Sequence, residues 1–140
     1  MTTSLQHNEN IAELILSNCG IDAYDAVHLK RLVKECPKIK RLNLSSNTLR
    51  AKGLHLLAEG LYRNRTLTLL DVSDNELEGR EAAQTLGNLL RRNRALVRVE
   101  ADQNNWAAPT GMRSFADGLA RNQVATNLDL SGCRLNSQAM

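Results

Sequence analysis

The segment LNLSSNTL at residues 42–49 returns as LDVSDNEL at residues 70–77. Two near-identical spellings at a fixed offset must fold alike, and the recurrence runs through most of the chain. Aligned on it, five copies follow the template L-x-x-L-x-L-x-x-N/C-x-L. They are Ile11, Leu14, Leu16, Cys19, Ile21; Ile39, Leu42, Leu44, Asn47, Leu49; Leu67, Leu70, Val72, Asn75, Leu77; Leu96, Val99, Ala101, Asn104, Trp106; and Ala125, Leu128, Leu130, Cys133, Leu135. Their starts lie 28, 28, 29 and 29 residues apart.

The spacing dictates local structure. The L-x-L core has period two, so its two aliphatics point to one side of a short strand. The Asn or Cys at the ninth position follows the strand, where the chain turns. A small polar side chain there satisfies backbone groups that the turn leaves unpaired, and stacked copies form a ladder of such groups. That role accounts for Cys19 and Cys133 without a metal.

The second half of each copy has helical period. Leu54, Leu57, Ala58 and Leu61 are spaced i, i+3, i+4, i+7. Ala83, Leu86, Gly87 and Leu90 repeat this pattern, as do Met112, Phe115, Ala116 and Leu119. The first copy has Ala26, Leu29 and Val33, with Lys30 breaking the match. Arg63, Arg92 and Arg121 end these segments, where a cation suits the helix dipole. Asn64, Asn93 and Asn122 follow and are expected in the left-handed conformation that often terminates a helix. Cys36-Pro37 takes this place in the first copy. A strand-helix unit of this size cannot bury its apolar faces alone. The expected fold is therefore an α/β solenoid of about five stacked repeats, with a concave parallel sheet and convex helices.

At 140 residues the chain is long enough for a single domain and one core. The expected organisation is one domain over residues 1–140. Residues 1–10 would form an N-terminal cap anchored by Leu5, and the five repeats would occupy 11–135, the last incomplete. With one Phe, one Trp and two Tyr, aliphatic side chains must build the core. The net charge of +3 is that of an ordinary soluble surface. No apolar run reaches membrane-spanning length, and MTTSLQHNEN reads as neither a basic nor an apolar leader. Three cysteines without such a leader point to reduced thiols and a cytoplasmic location.

The 28/29 alternation, the helix in every repeat and the N-x-x-L joint resemble the ribonuclease-inhibitor-like class of leucine-rich repeats, over residues 11–135. Members of that class include ribonuclease inhibitor, Ran GTPase-activating proteins, the NLR sensors, the tropomodulin tail domain and CARMIL-type actin regulators. VEADQNNWAAPTGMRSFADGLARN, residues 99–122, resembles a late CARMIL-type repeat in its D-x-N-N turn and in its helix ending in Asn. The resemblance implies a non-catalytic protein-binding scaffold. It does not carry over a specific activity. This chain is shorter and more basic than ribonuclease inhibitor and has no acidic tail of the Ran-activator kind.

In such a fold the variable strand positions face a partner. The position between the two inward aliphatics is Ile15, Asn43, Asp71, Glu100 and Asp129, with Asp102 and Asp74 close by. Strands about 4.8 Å apart would stack these carboxylates in a column. The flanking column is Glu13, Arg41, Leu69, Arg98 and Asn127, and a third is mostly Ser17, Ser45, Ser73 and Ser131. The expected partner-binding residues are Arg41, Asn43, Leu69, Asp71, Arg98, Glu100, Asp102, Asn127 and Asp129. Two readings of the acids stand side by side: they solubilise an open sheet and pair with Arg98, or they receive a basic partner. Opposed like charges cost roughly 0.2–1 kcal/mol per pair, which such a partner would offset.

Lys30, Arg31, Lys34, Lys38, Arg63, Arg65, Arg91, Arg92, Arg94 and Arg121 crowd the helix ends and joints. Helix dipoles and solubility explain them better than nucleic acid does, because no aromatics interleave to stack bases. Trp106 stands where the template has Leu and reads as a core or rim filler rather than a binding aromatic, while an exposed Trp at that loop would be a binding hot spot. There is no nucleophile-base pair, phosphate loop or metal-ligand cluster in the sequence. The chain therefore reads as no enzyme, with no catalytic or metal residues and no cofactor. A regulatory subunit of a small GTPase or of an actin-regulatory assembly is the alternative. The C-terminal sheet edge is expected to be covered, by another chain or by further repeats of a longer solenoid.

Overall fold

The computed structural model describes residues 10–106 and 109–132. Leu5, with the rest of the expected cap before Asn10, lies outside the described residues, as do Cys133 and Leu135. Five strands form one parallel sheet in chain order: β1 (Glu13–Ile15), β2 (Arg41–Asn43), β3 (Leu69–Asp71), β4 (Arg98–Glu100) and β5 (Asn127–Asp129). Helices α1 (Ala26–Glu35), α2 (Arg50–Leu61), α3 (Gly79–Arg92) and α4 (Pro109–Arg121) connect them. Each helix packs on the next along the stack. Among the described residues no helix is long and apolar enough to cross a membrane.

The register is the one the repeat requires. Leu14, Leu42, Leu70, Val99 and Leu128 align across the sheet. The central three are fully buried against the helices, and the two outermost are half-buried at the ends of the stack. Leu44, Leu49, Leu54, Leu57, Leu61, Leu77 and Leu86 complete a continuous aliphatic core. Each such side chain contributes about 1.5–3 kcal/mol by leaving water.

The ninth-position asparagines bind the neighbouring repeat. Asn47 Oδ1 accepts the N–H groups of Cys19 and Ile21, each at 3.0 Å, and its Nδ2 donates to the carbonyls of Leu16 and Leu44. Asn75 and Asn104 repeat the arrangement one and two layers on. Cys19 has no such reach. Its exposed thiol meets only the Ser17 carbonyl, at 3.4 Å. Its burial pushes the Cys36 thiol up, and that side chain belongs to the core.

The helix-terminal asparagines correct the sequence reading. Asn93 is extended (φ −79°, ψ 138°), not left-handed, and neither Asn64 nor Asn122 has positive φ. They form a second ladder instead. The Nδ2 groups of Asn64, Asn93 and Asn122 donate to carbonyls of the preceding helix, from Val33, Leu61 and Leu90. Their Oδ1 atoms accept the N–H groups that open the next repeat. Left-handed residues lie instead between strand and helix, with Asn18, Ser46, Asp74, Gln103 and Gly132 at the same position of successive repeats.

Helix faces follow the expected periodicity except at the two ends. Lys30, which breaks the apolar pattern of α1, lies half-buried and pairs with Glu59 of α2 at 3.0 Å. On α4, Phe115 is buried, but Ala116 is exposed and Leu119 is 41% exposed. The equivalent Ala58 and Leu61 of α2 are sealed by α3. Among the described residues no fifth helix seals α4, and β5 pairs only with β4. Helices α3 and α4 approach closely at Gly87 and Gly118. A Cβ built on Gly118 would collide with the Gly87 carbonyl oxygen.

Candidate functional site

The helices cover one face of the sheet, and the other face carries the variable strand positions. The alignments Arg41–Leu69–Arg98–Asn127 and Asn43–Asp71–Glu100–Asp129 are both observed. Arg41, Arg98 and Asn127 are exposed, whereas Asn43, Leu69, Asp71, Glu100 and Asp129 are half-buried. The structure thus brings eight of the nine expected residues onto one face. Ile15, at the head of the second column, adds an apolar side chain that is 59% exposed.

The acids of this column have structural work that the sequence reading did not assign. The side-chain oxygens of Asn43, Asp71 and Asp129 each accept the N–H two residues on, from Ser45, Ser73 and Ser131, at 2.8–2.9 Å. A short acceptor there closes the turn in which the strand ends, an Asx turn. The recurring N/D-x-S spelling is the signal that could have found it. At Asp129 the hydrogen bonds from Ser131 hold the carboxyl below its ordinary value.

Glu100 is too long for that turn and interacts sideways. Its Oε1 pairs with Arg98 Nη2 at 2.7 Å. Burial pushes its carboxyl above the ordinary value, the neighbouring Asp71 pushes it the same way, and Arg98 opposes both. Repulsion within the column is therefore partly relieved inside the chain, by Arg98. Asp102 is the ninth residue. It lies past the end of β4, beside the column, and accepts a hydrogen bond from the Ser73 hydroxyl of the preceding repeat.

Trp106 is 1% exposed, and its Nε1–H donates to the Ala101 carbonyl at 3.1 Å. It fills the core as its position in the template implies and offers no aromatic to a partner. Of the basic residues at helix ends and joints, Lys30, Arg31 and Arg121 pair with acids. The Arg92 guanidinium lies over the Tyr62 ring, 4.3 Å from its centroid.

Comparison with known proteins agrees with this architecture. A family model described as "Leucine Rich repeat" matches residues 35–58 and 63–80. The pig (Sus scrofa) ribonuclease inhibitor is 32% identical over 128 residues, covering 89% of this chain and 27% of that protein. Human (Homo sapiens) leiomodin-3 is 29% identical over 97 residues, covering 69% of this chain and 17% of that protein. The chain thus spans only a minor part of the curated relatives it matches. Among solved structures, one described as "Leiomodin-1 Actin-Binding Site 2 (ABS2)" superposes with a TM-score of 0.79 at 16% identity. The match covers 92% of this chain and 76% of that one and shares the fold.

Proposed function

We propose, from the premise that this chain is a leucine-rich-repeat solenoid resembling ribonuclease inhibitor and the leiomodins, that it is a non-catalytic module binding a protein partner on its concave sheet face. The observation that carries this reading is the open sheet face itself. In-register strands present Arg41, Leu69 and Arg98 beside Asn43, Asp71, Glu100 and Asp129, and no element among the described residues covers them. A surface mixing a half-buried Leu, an exposed Ile and charges of both signs has the composition of a protein-binding patch. Asp71, Glu100, Asp102 and Asp129 outnumber Arg41 and Arg98, so the complementary partner surface is basic. This face is an open sheet rather than an enclosing pocket, which favours a scaffold over an enzyme. The two cysteines among the described residues, Cys19 and Cys36, are free thiols, which suits an intracellular location. The edge of β5, unpaired among the described residues, is a second surface that a neighbouring chain would cover, and Leu119 is exposed on α4, the last helix of the stack among those residues.

The test is affinity capture with the wild-type chain and with the Asp71→Lys/Glu100→Lys/Asp129→Lys variant, each checked for folding. A partner held by the first and lost by the second supports the reading. Equal capture moves the site to the helices or loops.

The leiomodin likeness favours one named candidate, actin, because the superposed leiomodin-1 domain is described as an actin-binding site. Co-sedimentation with filamentous actin, abolished by the triple reversal, would identify it. A GTPase-regulatory role would appear instead as stimulated GTP hydrolysis by a small GTPase on addition of the chain.

A further inference from the structure

A cleft of about 490 Å³ opens between the C-terminal ends of α1, α2 and α3, away from the open sheet face. Lys34, Arg63, Arg65 and Arg92 line it, together with Tyr62 and Thr66. The helix dipole explains only part of this charge. Its influence fades beyond the last turn. The last turn of α2 holds no basic residue, and Arg63 and Arg65 lie past the end of that helix.

These cations are also not held in ion pairs among the described residues, although Lys34 lies near enough to Glu59 to help lower its carboxyl. Among the described residues, ion pairs are made by Lys30, Arg31, Arg50, Arg98 and Arg121, and none by the four cations of the cleft. The one carboxylate in the lining, Glu59, is already engaged by Lys30 at 3.0 Å and by His55 at 3.2 Å. The Tyr62 ring steadies the Arg92 guanidinium without cancelling its charge, which leaves its planar donors for another group. Thr66 Oγ1 is buried without a hydrogen-bond partner among the described residues. Buried hydroxyls are rarely left so.

We propose that this cleft is a second interaction site, which takes an acidic segment of a protein partner by seating its carboxylates against Arg63, Arg65, Arg92 and Lys34. Guanidinium forks match carboxylates in a bidentate manner. A nucleic acid fits less well. It needs a long basic track and free aromatic faces, and the one aromatic ring in the lining is covered by Arg92.

The experiment is a fluorescence anisotropy titration of the full chain with a labelled oligoglutamate peptide at about 50 mM salt, with a single-stranded oligonucleotide of equal charge as a second arm. The expected result is saturable peptide binding, weakened about tenfold or more by Arg63→Gln/Arg65→Gln and unchanged by Lys52→Ala/Arg113→Ala, whose cations lie elsewhere. Amide shifts of the wild-type chain on adding peptide should cluster at residues 34, 62–66 and 92, which keeps the test independent of variant folding. No peptide binding, equal weakening by the Lys52/Arg113 variant, shifts spread over the surface, or tighter binding of the oligonucleotide through the same arginines would each overturn the proposal. The open sheet face is not involved in any of these readouts, so failure here leaves the concave-face reading standing.

Discussion

Asn104 Oδ1 accepts the backbone N–H of Asn75 at 2.9 Å, so the side chain of one repeat closes the turn of the repeat before it. Asn104 also accepts the Leu77 N–H and donates to the carbonyls of Val72, Ala101 and Asp102. Asn104→Ala would leave two buried N–H groups without an acceptor. Each orphaned group costs about 1–3 kcal/mol, so the expected loss is about 2–6 kcal/mol. Urea unfolding should show a lower midpoint for Asn104→Ala and little change for Arg94→Ala, at an exposed position. A midpoint unchanged in the first variant would show that the ladder contributes nothing.

The strand cores, their register and the buried faces of α2 and α3 were legible in the sequence, because each rests on a period that the repeat shows several times. Two kinds of feature were not. The conformation of Asn64, Asn93 and Asn122 was misread, because an Asn after a helix fits both a left-handed cap and an extended residue whose side chain reaches across repeats. Only the three-dimensional stack brings Val33, Leu61 and Leu90 within its range. On α4 the exposure of Leu119 agrees with an end-of-stack helix that lacks the following layer, whereas Phe115, expected to lose its neighbour too, stays buried. At the candidate site the residues and their alignment were legible. The turn-closing work of Asp71 and Asp129 was not, because an acid at a solvated strand position looks the same whether it waits for a partner or holds its own backbone.

Gly118 should be the least replaceable glycine on α4. An added Cβ would meet the Gly87 backbone, which cannot yield as a flexible side chain would. Gly118→Ala should force α4 away from α3 at a cost of about 1–3 kcal/mol, despite the better helix propensity of Ala. Thermal unfolding beside the exposed Asn88→Ala, expected within about 0.5 kcal/mol of wild type, checks this. Equal melting temperatures would show that the helices separate freely.

Glu100 gives the stability a pH signature. Its carboxyl is raised in the folded chain, so the folded state holds a proton that the unfolded state has released. Its stabilising contribution is present below the ordinary glutamate value of 4.5 and is lost as pH rises through the folded value. Glu100→Gln removes that dependence. The stability of the variant relative to wild type should therefore improve as pH rises from about 4 towards neutrality. A difference that stays flat or declines over that range would contradict the assignment.

Trp106 is the one tryptophan of the chain and is sealed in the core. Native emission should be blue-shifted and should move to the red in step with unfolding of the fourth repeat. Trp106→Ala should cost about 3–5 kcal/mol through the cavity it leaves. Emission at solvent-exposed wavelengths from the native chain would place the ring outside the core.

The central claim is that a protein partner is received by the acidic sheet face, and its most direct test is the association rate of the captured partner as a function of salt. Three chains are compared: wild type, the charge-neutral Asp71→Asn/Glu100→Gln/Asp129→Asn variant, which keeps the turn acceptors, and the Asp71→Lys/Glu100→Lys/Asp129→Lys reversal. The account predicts that association slows from the first to the second to the third, and that the differences shrink as salt is added. Identical association rates for all three chains at low salt would contradict it.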